Sequence, residues 1–210
     1  SNSSINTVIM SFLSIDFSTD IGFMFLKVKN KTFSKALQSY KYKNDSLMKD
    51  ILDFFKENNL KFNDISKIFV NQGPGNFSGL RTSLAIAKGI SLSKNLKLFG
   101  YNTFVLSCSK FFNKKEFIFS IIKIKEKYFI KRFNKVLQEV SKPQEITKED
   151  IIEKYHTKFK VIPKNLTQYF DDEILNLNNL SIVDLEYNEL QFLELKGLLE
   201  KNLIKPLYLS

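Results

Sequence analysis

The 210-residue chain has one cysteine, one histidine, two arginines and seven glycines. Each scarcity excludes something. A single thiol, Cys108, rules out an internal disulfide and fits a reducing compartment. The sole imidazole, His156 in "EKYHTKFK", lacks the carboxylate company a metal site needs and reads as a solvated helix-end residue. Neither Ser-His-Asp nor Cys-His hydrolysis finds a complete set of parts. The apolar runs "VIMSFLSI" and "FIFSII" are far short of the roughly 20 residues a membrane-spanning helix needs. The opening "SNSSINTV" has no positive n-region, so no secretory leader and a cytoplasmic location are expected.

Acid is scarce relative to base, and the net charge is +10. Only Arg81 and Arg132 are arginine; the other 30 basic residues are lysines spread along the chain. A surface built to read phosphate would use more of the planar arginine fork. A nucleic-acid-binding module riding on this charge would bind nucleic acid without a partner, with a steep loss in salt. Hydrophobic content of 43% is ordinary for a globular protein with a buried core.

The first half reads as strands over Val8 to Ile15, Ile21 to Lys29 and Thr32 to Tyr40. "NDSLMKDILDFFKENN" follows, with Leu47, Met48, Ile51, Leu52, Phe54 and Phe55 at helical spacing. Asn44 or Asp45 is its expected N-cap and Asn58-Asn59 its stop. "ISKIFVNQ" predicts a strand, Leu80 to about Leu92 a helix, "LKLFGY" a strand, and "TFVLSCSKFF" a helix capped by Thr103. Beyond Asn113, "EFIFSIIKIKEKYFIKRF" predicts a hairpin turning near Lys125 to Lys127. Thr147 and Asp150 stand at capping-box spacing, "KFKVIP" predicts a strand, and "LEYNELQFLELKGLLEKN" is the longest helical pattern. Two α/β lobes follow, 1–104 and 105–210, joined by a packed hinge. No short-period repeat is visible.

Four of the seven glycines fall within "VNQGPGNFSGLRTSLAIAKG", between a strand and a helix. Such a turn serves a bound anion at the helix N-terminus, a tight backbone bend, or both. Starting at Gly73, the spacing lacks the Lys-Ser/Thr of a phosphate-cradling P-loop. Gly73, Gly75 and Gly79 approximate the dinucleotide fingerprint, but no acid lies between Asp64 and Glu116 to hold a ribose. An autonomous nucleotide-binding enzyme using Gly73–Gly79 is the rival reading; it predicts tight ATP or NADPH binding with turnover.

"GPGNFSGLRTSLAIAKGI" closely resembles the GPGSFTGLR-x-G-x-x-x-AKG signature of the TsaB (YeaZ) family, through Gly73, Pro74, Gly75, Phe77, Gly79 and Arg81. Asn76, Ser78 and Ser83 replace its Ser, Thr and Gly. "FLSIDFSTD" resembles the family's opening, with Asp16, Ser18 and Thr19 in register, and "KPLYLS" resembles its close without the final arginine. The likeness is clear over Leu13 to Gly100. It is faint between Phe111 and Leu203, where "IIKIKEKYFI" stands for the usual DAR-x-x-E-V-Y.

The resemblance implies an α/β, actin-like ATPase fold (ASKHA, ribonuclease H-like) in two lobes of mixed sheet with helices. It implies a non-catalytic subunit that pairs with TsaD, binds TsaE, and supports threonylcarbamoylation of adenosine 37 in ANN-decoding tRNAs. No catalytic residue, metal or cofactor is expected on this chain, with any ATP held at the level of the complex. It is not expected to be a peptidase despite the family's glycoprotease-like label. In such ATPases the first hairpin faces phosphate, which makes Asp16, Ser18 and Thr19 a candidate vestigial nucleotide loop; self-capping turns are the simpler reading. The candidate partner surface is a helix pair carrying Leu47, Ile51, Phe55, Leu84, Ala85, Ala87 and Lys88. The same face would pair two copies when TsaD is absent. Contact with tRNA would be indirect.

Overall fold

The computed structural model describes residues 11–38, 44–202 and 204–209. The chain forms two compact units, one running to Asn102 and taking back Leu199–Tyr208, the other spanning Thr103–Leu198. The expected division at 104/105 therefore lies two residues earlier, and the C-terminal segment belongs with the first unit. Two antiparallel bonds between Gly100 and Glu200 fasten it there, Gly100 N to Glu200 O at 2.8 Å and the reciprocal bond at 2.9 Å. No local sequence pattern announces so distant a pairing.

In the first unit, β1 (Phe12–Asp16), β2 (Ile21–Val28) and β3 (Lys31–Gln38) form a meander. Next come α1 (Asn44–Glu57), β4 (Lys67–Asn71), α2 (Phe77–Lys94) and β5 (Lys97–Tyr101). The sheet order is β3-β2-β1-β4-β5, antiparallel through the meander and parallel from β1 to β5. β1 and β4 lie inside the sheet and are wholly buried, so neither alternates with exposed positions; β2 alternates buried and partly exposed positions. The expected strand residues Val8 to Met10, Ser39 and Tyr40, and the N-cap side chains Asn44 and Asp45, lie outside the described residues.

The stop of α1 works as its sequence suggests. Asn59 adopts a left-handed φ of 56°, and the Leu60 amide donates back to Phe55 O at 2.8 Å. Helix α2 begins at Phe77, a turn before the expected Leu80, because Asn76 caps it: its Oδ1 accepts from Gly79 N at 3.2 Å.

The second unit repeats the plan. After α3 (Thr103–Ser107) it runs β6 (Phe117–Ile124), β7 (Lys127–Asn134), β8 (Gln144–Ile146), α4 (Lys148–Glu153), β9 (Lys160–Pro163), α5 (Asp172–Leu175) and β10 (Leu180–Val183), and closes with α6 (Leu190–Leu195). Its sheet, β10-β9-β6-β7-β8, has the same connectivity and directions as the first: an antiparallel meander, then two parallel strands. The expected hairpin turns at Lys125, with a φ of 56°. The Thr147 capping box forms, Asp150 N donating to Thr147 Oγ1 at 3.0 Å. The longest helical pattern instead yields the short α6. Gly197, at a φ of 73°, ends it, with Leu198 N donating to Leu193 O at 3.0 Å.

Lys160, on β9, is fully buried. Its ammonium donates to the carbonyls of Tyr155 (2.7 Å), Lys158 (2.9 Å), Asn178 (3.1 Å) and His156 (3.2 Å). The lysine thus ties the loop after α4 to the approach of β10. Burial pulls its pKa below the ordinary lysine value.

Candidate functional site

The glycine turn joins β4 to α2 and rests on the β1–β2 loop. Gly73 stands at a φ of 105°, which residues with a Cβ avoid. Its amide donates to Asn71 Oδ1 at 2.8 Å, and Asn71 Nδ2 donates to Ser18 Oγ at 3.4 Å. The Asn76 amide donates to Ser18 O at 2.8 Å. Gly75 fills the remaining space: a Cβ there would collide with the Ser18 carbonyl.

Asp16 is turned onto its own loop. Its Oδ1 accepts from Ser18 Oγ at 2.6 Å and from Ser18 N at 3.1 Å, and Thr19 Oγ1 donates to Ile21 O at 3.0 Å. Asp16 and Ser18 are both buried. This is a self-capped turn, with its Ser18 carbonyl covered by the glycine segment. Beneath it the Tyr101 hydroxyl lies 2.9 Å from Ser14 Oγ. Burial, reinforced by the negative charge of Asp16, pushes the Tyr101 pKa well above the usual 10.0.

The far side of the turn is braced by the returning C-terminal segment, a feature the glycine pattern does not disclose. Leu207 N donates to Gln72 O at 2.8 Å, and Gln72 Nε2 donates to Lys205 O at 2.9 Å. Tyr208 stacks on Phe77 with ring centroids 4.9 Å apart, and the Arg81 guanidinium stands 5.2 Å from the Phe77 centroid. Phe77, Ser78 and Arg81 are exposed, whereas Gly73, Pro74 and Gly79 are buried.

The candidate partner surface needs correction. Leu47, Ile51, Phe55, Leu84 and Ala87 are all 3% exposed or less and form the core of the first unit. Their helical periodicity marks the face turned inward. Of the seven candidates only Ala85 and Lys88 are exposed, and they share the outer face of α2 with Ser78, Arg81, Gly89 and Leu92. Leu92 is 85% exposed, and a Cβ at Gly89 would meet nothing within 4 Å. Leu52, on α1, is another exposed apolar side chain.

His156 is exposed, and its carbonyl accepts from Lys160 and Asn179. Among the described residues no group of three or more His, Cys, Asp or Glu is placed to hold a metal ion. No helix among them is long and apolar enough to cross a membrane.

A β-β-β-α-β-α-β unit built twice, with strand order 3-2-1-4-5 in each, defines the class: the chain has the actin-like ATPase, ribonuclease H-like fold. Residues 38–117 match the family described as "TsaD: tRNA N6-adenosine threonylcarbamoyltransferase". The chain is 33% identical over 89 residues to the tRNA threonylcarbamoyladenosine biosynthesis protein TsaB of Buchnera aphidicola, a match spanning 42% of this chain and 40% of that relative. Two solved structures from Pseudomonas aeruginosa share the fold. YeaZ has a TM-score of 0.68 at 13% identity, and a protein described as similar to peptidase YEAZ has 0.66 at 14%; each comparison covers 95% of this chain and 99% of the other. The glycine motif, the TsaD-type match over part of the chain and the TsaB relative, of which this chain spans under half, make the chain similar to the TsaB (YeaZ) family over its first half.

Proposed function

We propose that this chain is a non-catalytic subunit of tRNA threonylcarbamoyladenosine biosynthesis, acting in the cytoplasm beside a TsaD-type transferase and the ATPase TsaE. The observation that carries the reading is the outer face of α2. Ala85 and Gly89 keep it thin, Leu92 stands almost wholly exposed, and Lys88 and Arg81 border it. Small residues let a second helix approach closely, and exposed aliphatic surface supplies affinity once water leaves it. The resemblance implies that TsaD carries a lobe of like topology whose helices would pack there; without TsaD, a second copy of this chain would take the place.

The glycine turn supports that face. It sets the start of α2 through Asn76 and holds it to the β1–β2 loop through Ser18. A covered loop carbonyl and an Asp16 carboxylate already bonded to Ser18 favour structural support over phosphate binding. Any ATP then belongs to the complex, and contact with tRNA comes through it.

Reconstitution tests the proposal. Adenosine 37 of ANN-decoding tRNA should be modified only when this chain accompanies its cognate TsaD and TsaE, and the isolated chain should turn over no nucleotide or peptide. Full modification without the chain, or robust turnover by it alone, would overturn the reading.

A further inference from the structure

One face of the second sheet carries a cleft of about 340 Å³ lined by Phe119, Ile130, Arg132, Ser141, Gln144, Tyr155 and Lys158. Strand register explains how it forms. Phe119 pairs with Arg132 across β6 and β7, and Ile130 pairs with Gln144 across β7 and β8. Directly opposed residues point to the same face, so these four side chains project together. Tyr155 and Lys158, from the segment after α4, complete the lining; the Tyr155 ring centroid lies 5.5 Å from that of Phe119.

Among the described residues, the polar part of the lining is basic or neutral, with no carboxylate. Arg132 is flanked by aromatic rings, its guanidinium 4.0 Å from the Phe117 centroid and 5.7 Å from that of Phe119. Its Nε is buried and meets no hydrogen-bond acceptor among the described residues. Buried donors are almost always satisfied, so an orphan beside an open cleft marks a place where an acceptor is missing. A guanidinium is a planar fork, and an oxyanion can take two parallel N–H bonds from it. Lys158, exposed at the rim, adds a second positive charge.

We infer that this cleft binds a small organic anion, its carboxylate or phosphate head on Arg132 and Lys158 and a flat apolar body against Phe119, Ile130 and Tyr155. The volume suits a molecule of metabolite size. The site lies wholly within the second unit and is independent of the partner face on α2.

The test is a titration of the isotope-labelled full chain, followed by NMR, with benzoate, phenyl phosphate and the neutral benzamide. At least one of the two anions should shift the Phe119, Ile130 and Gln144 amides saturably, and benzamide should bind about tenfold more weakly or worse. Arg132→Met, which keeps most of the apolar bulk, should weaken the anion about tenfold or more, and the surface change Lys158→Gln about threefold. Because Lys158 is exposed, its variant reports even if the arginine variant fails to fold. Whether benzoate or phenyl phosphate binds more tightly identifies the head group, and either preference supports the inference. Non-saturating shifts with both anions, equal binding of benzamide, or unchanged affinity in the folded arginine variant would overturn it.

Discussion

Gly75 sits so close to the backbone carbonyl of Ser18 that no Cβ fits between them, while the adjacent Asn76 amide donates to that same carbonyl at 2.8 Å. The two loops therefore act as one piece, and the start of α2 inherits its position from β1. The motif's glycines serve a contact between backbones.

Gly75→Ala tests this contact. The new methyl group meets main chain, which cannot swing aside, so the two loops must part. A loss of about 1–3 kcal/mol is expected from denaturant unfolding. Gly89→Ala is the counterpart, since its Cβ would meet open space on a helix; it should be stabilising by about 0.5–1 kcal/mol. Equal effects of the two changes would contradict the assignment.

Cys108 is fully buried beside Ser107 and Ser120, and burial pushes its thiol from the usual 9.0 up to about 12. A pKa raised by folding gives stability that is present below the unfolded value and lost as pH rises through the folded one. Stability should hold to about pH 9 and fall between there and about 12, with Tyr101 adding a loss of the same sign above 10.0. At pH 8 iodoacetamide should label the native thiol only through opening of the second unit. Labelling at the rate of a free thiol would contradict this.

Lys160 carries a structural charge. Lys160→Met preserves the apolar stem but removes the ammonium from the carbonyls of Tyr155, His156, Lys158 and Asn178; Tyr155 keeps the Lys158 amide and His156 keeps Asn179 Nδ2 as donors. The second unit should lose about 2–4 kcal/mol, read from denaturant dependence of Cys108 labelling. Wild-type stability would show that water substitutes for the ammonium.

Much of the first unit was legible. Periodicity located α1 because Ile51, Phe54 and Phe55 line one face, and Asn59 ended it by taking the left-handed conformation. The same periodicity misled about the partner surface, since an apolar stripe marks burial without saying against what. The candidates Leu47 and Leu84 proved to be core, while the exposed Leu92 carried no special signal. Three-residue β8, four-residue β10 and the short α5 passed unnoticed, being too brief to show a period. The duplication was invisible as a sequence repeat because topology is shared through strand order and direction, not through residues. Bracing of the turn by Gln72 and Leu207 depends on contacts more than 130 positions apart, beyond any local pattern.

The most direct test of a docking role for α2 is calorimetric titration of cognate TsaD into the wild-type chain and into Ala85→Arg. Ala85 is exposed, so the variant should fold with unchanged stability. A bulky charge on the thin helix should weaken association by about a hundredfold or more and abolish adenosine 37 modification in the reconstituted system. Wild-type affinity in the folded variant would contradict the account.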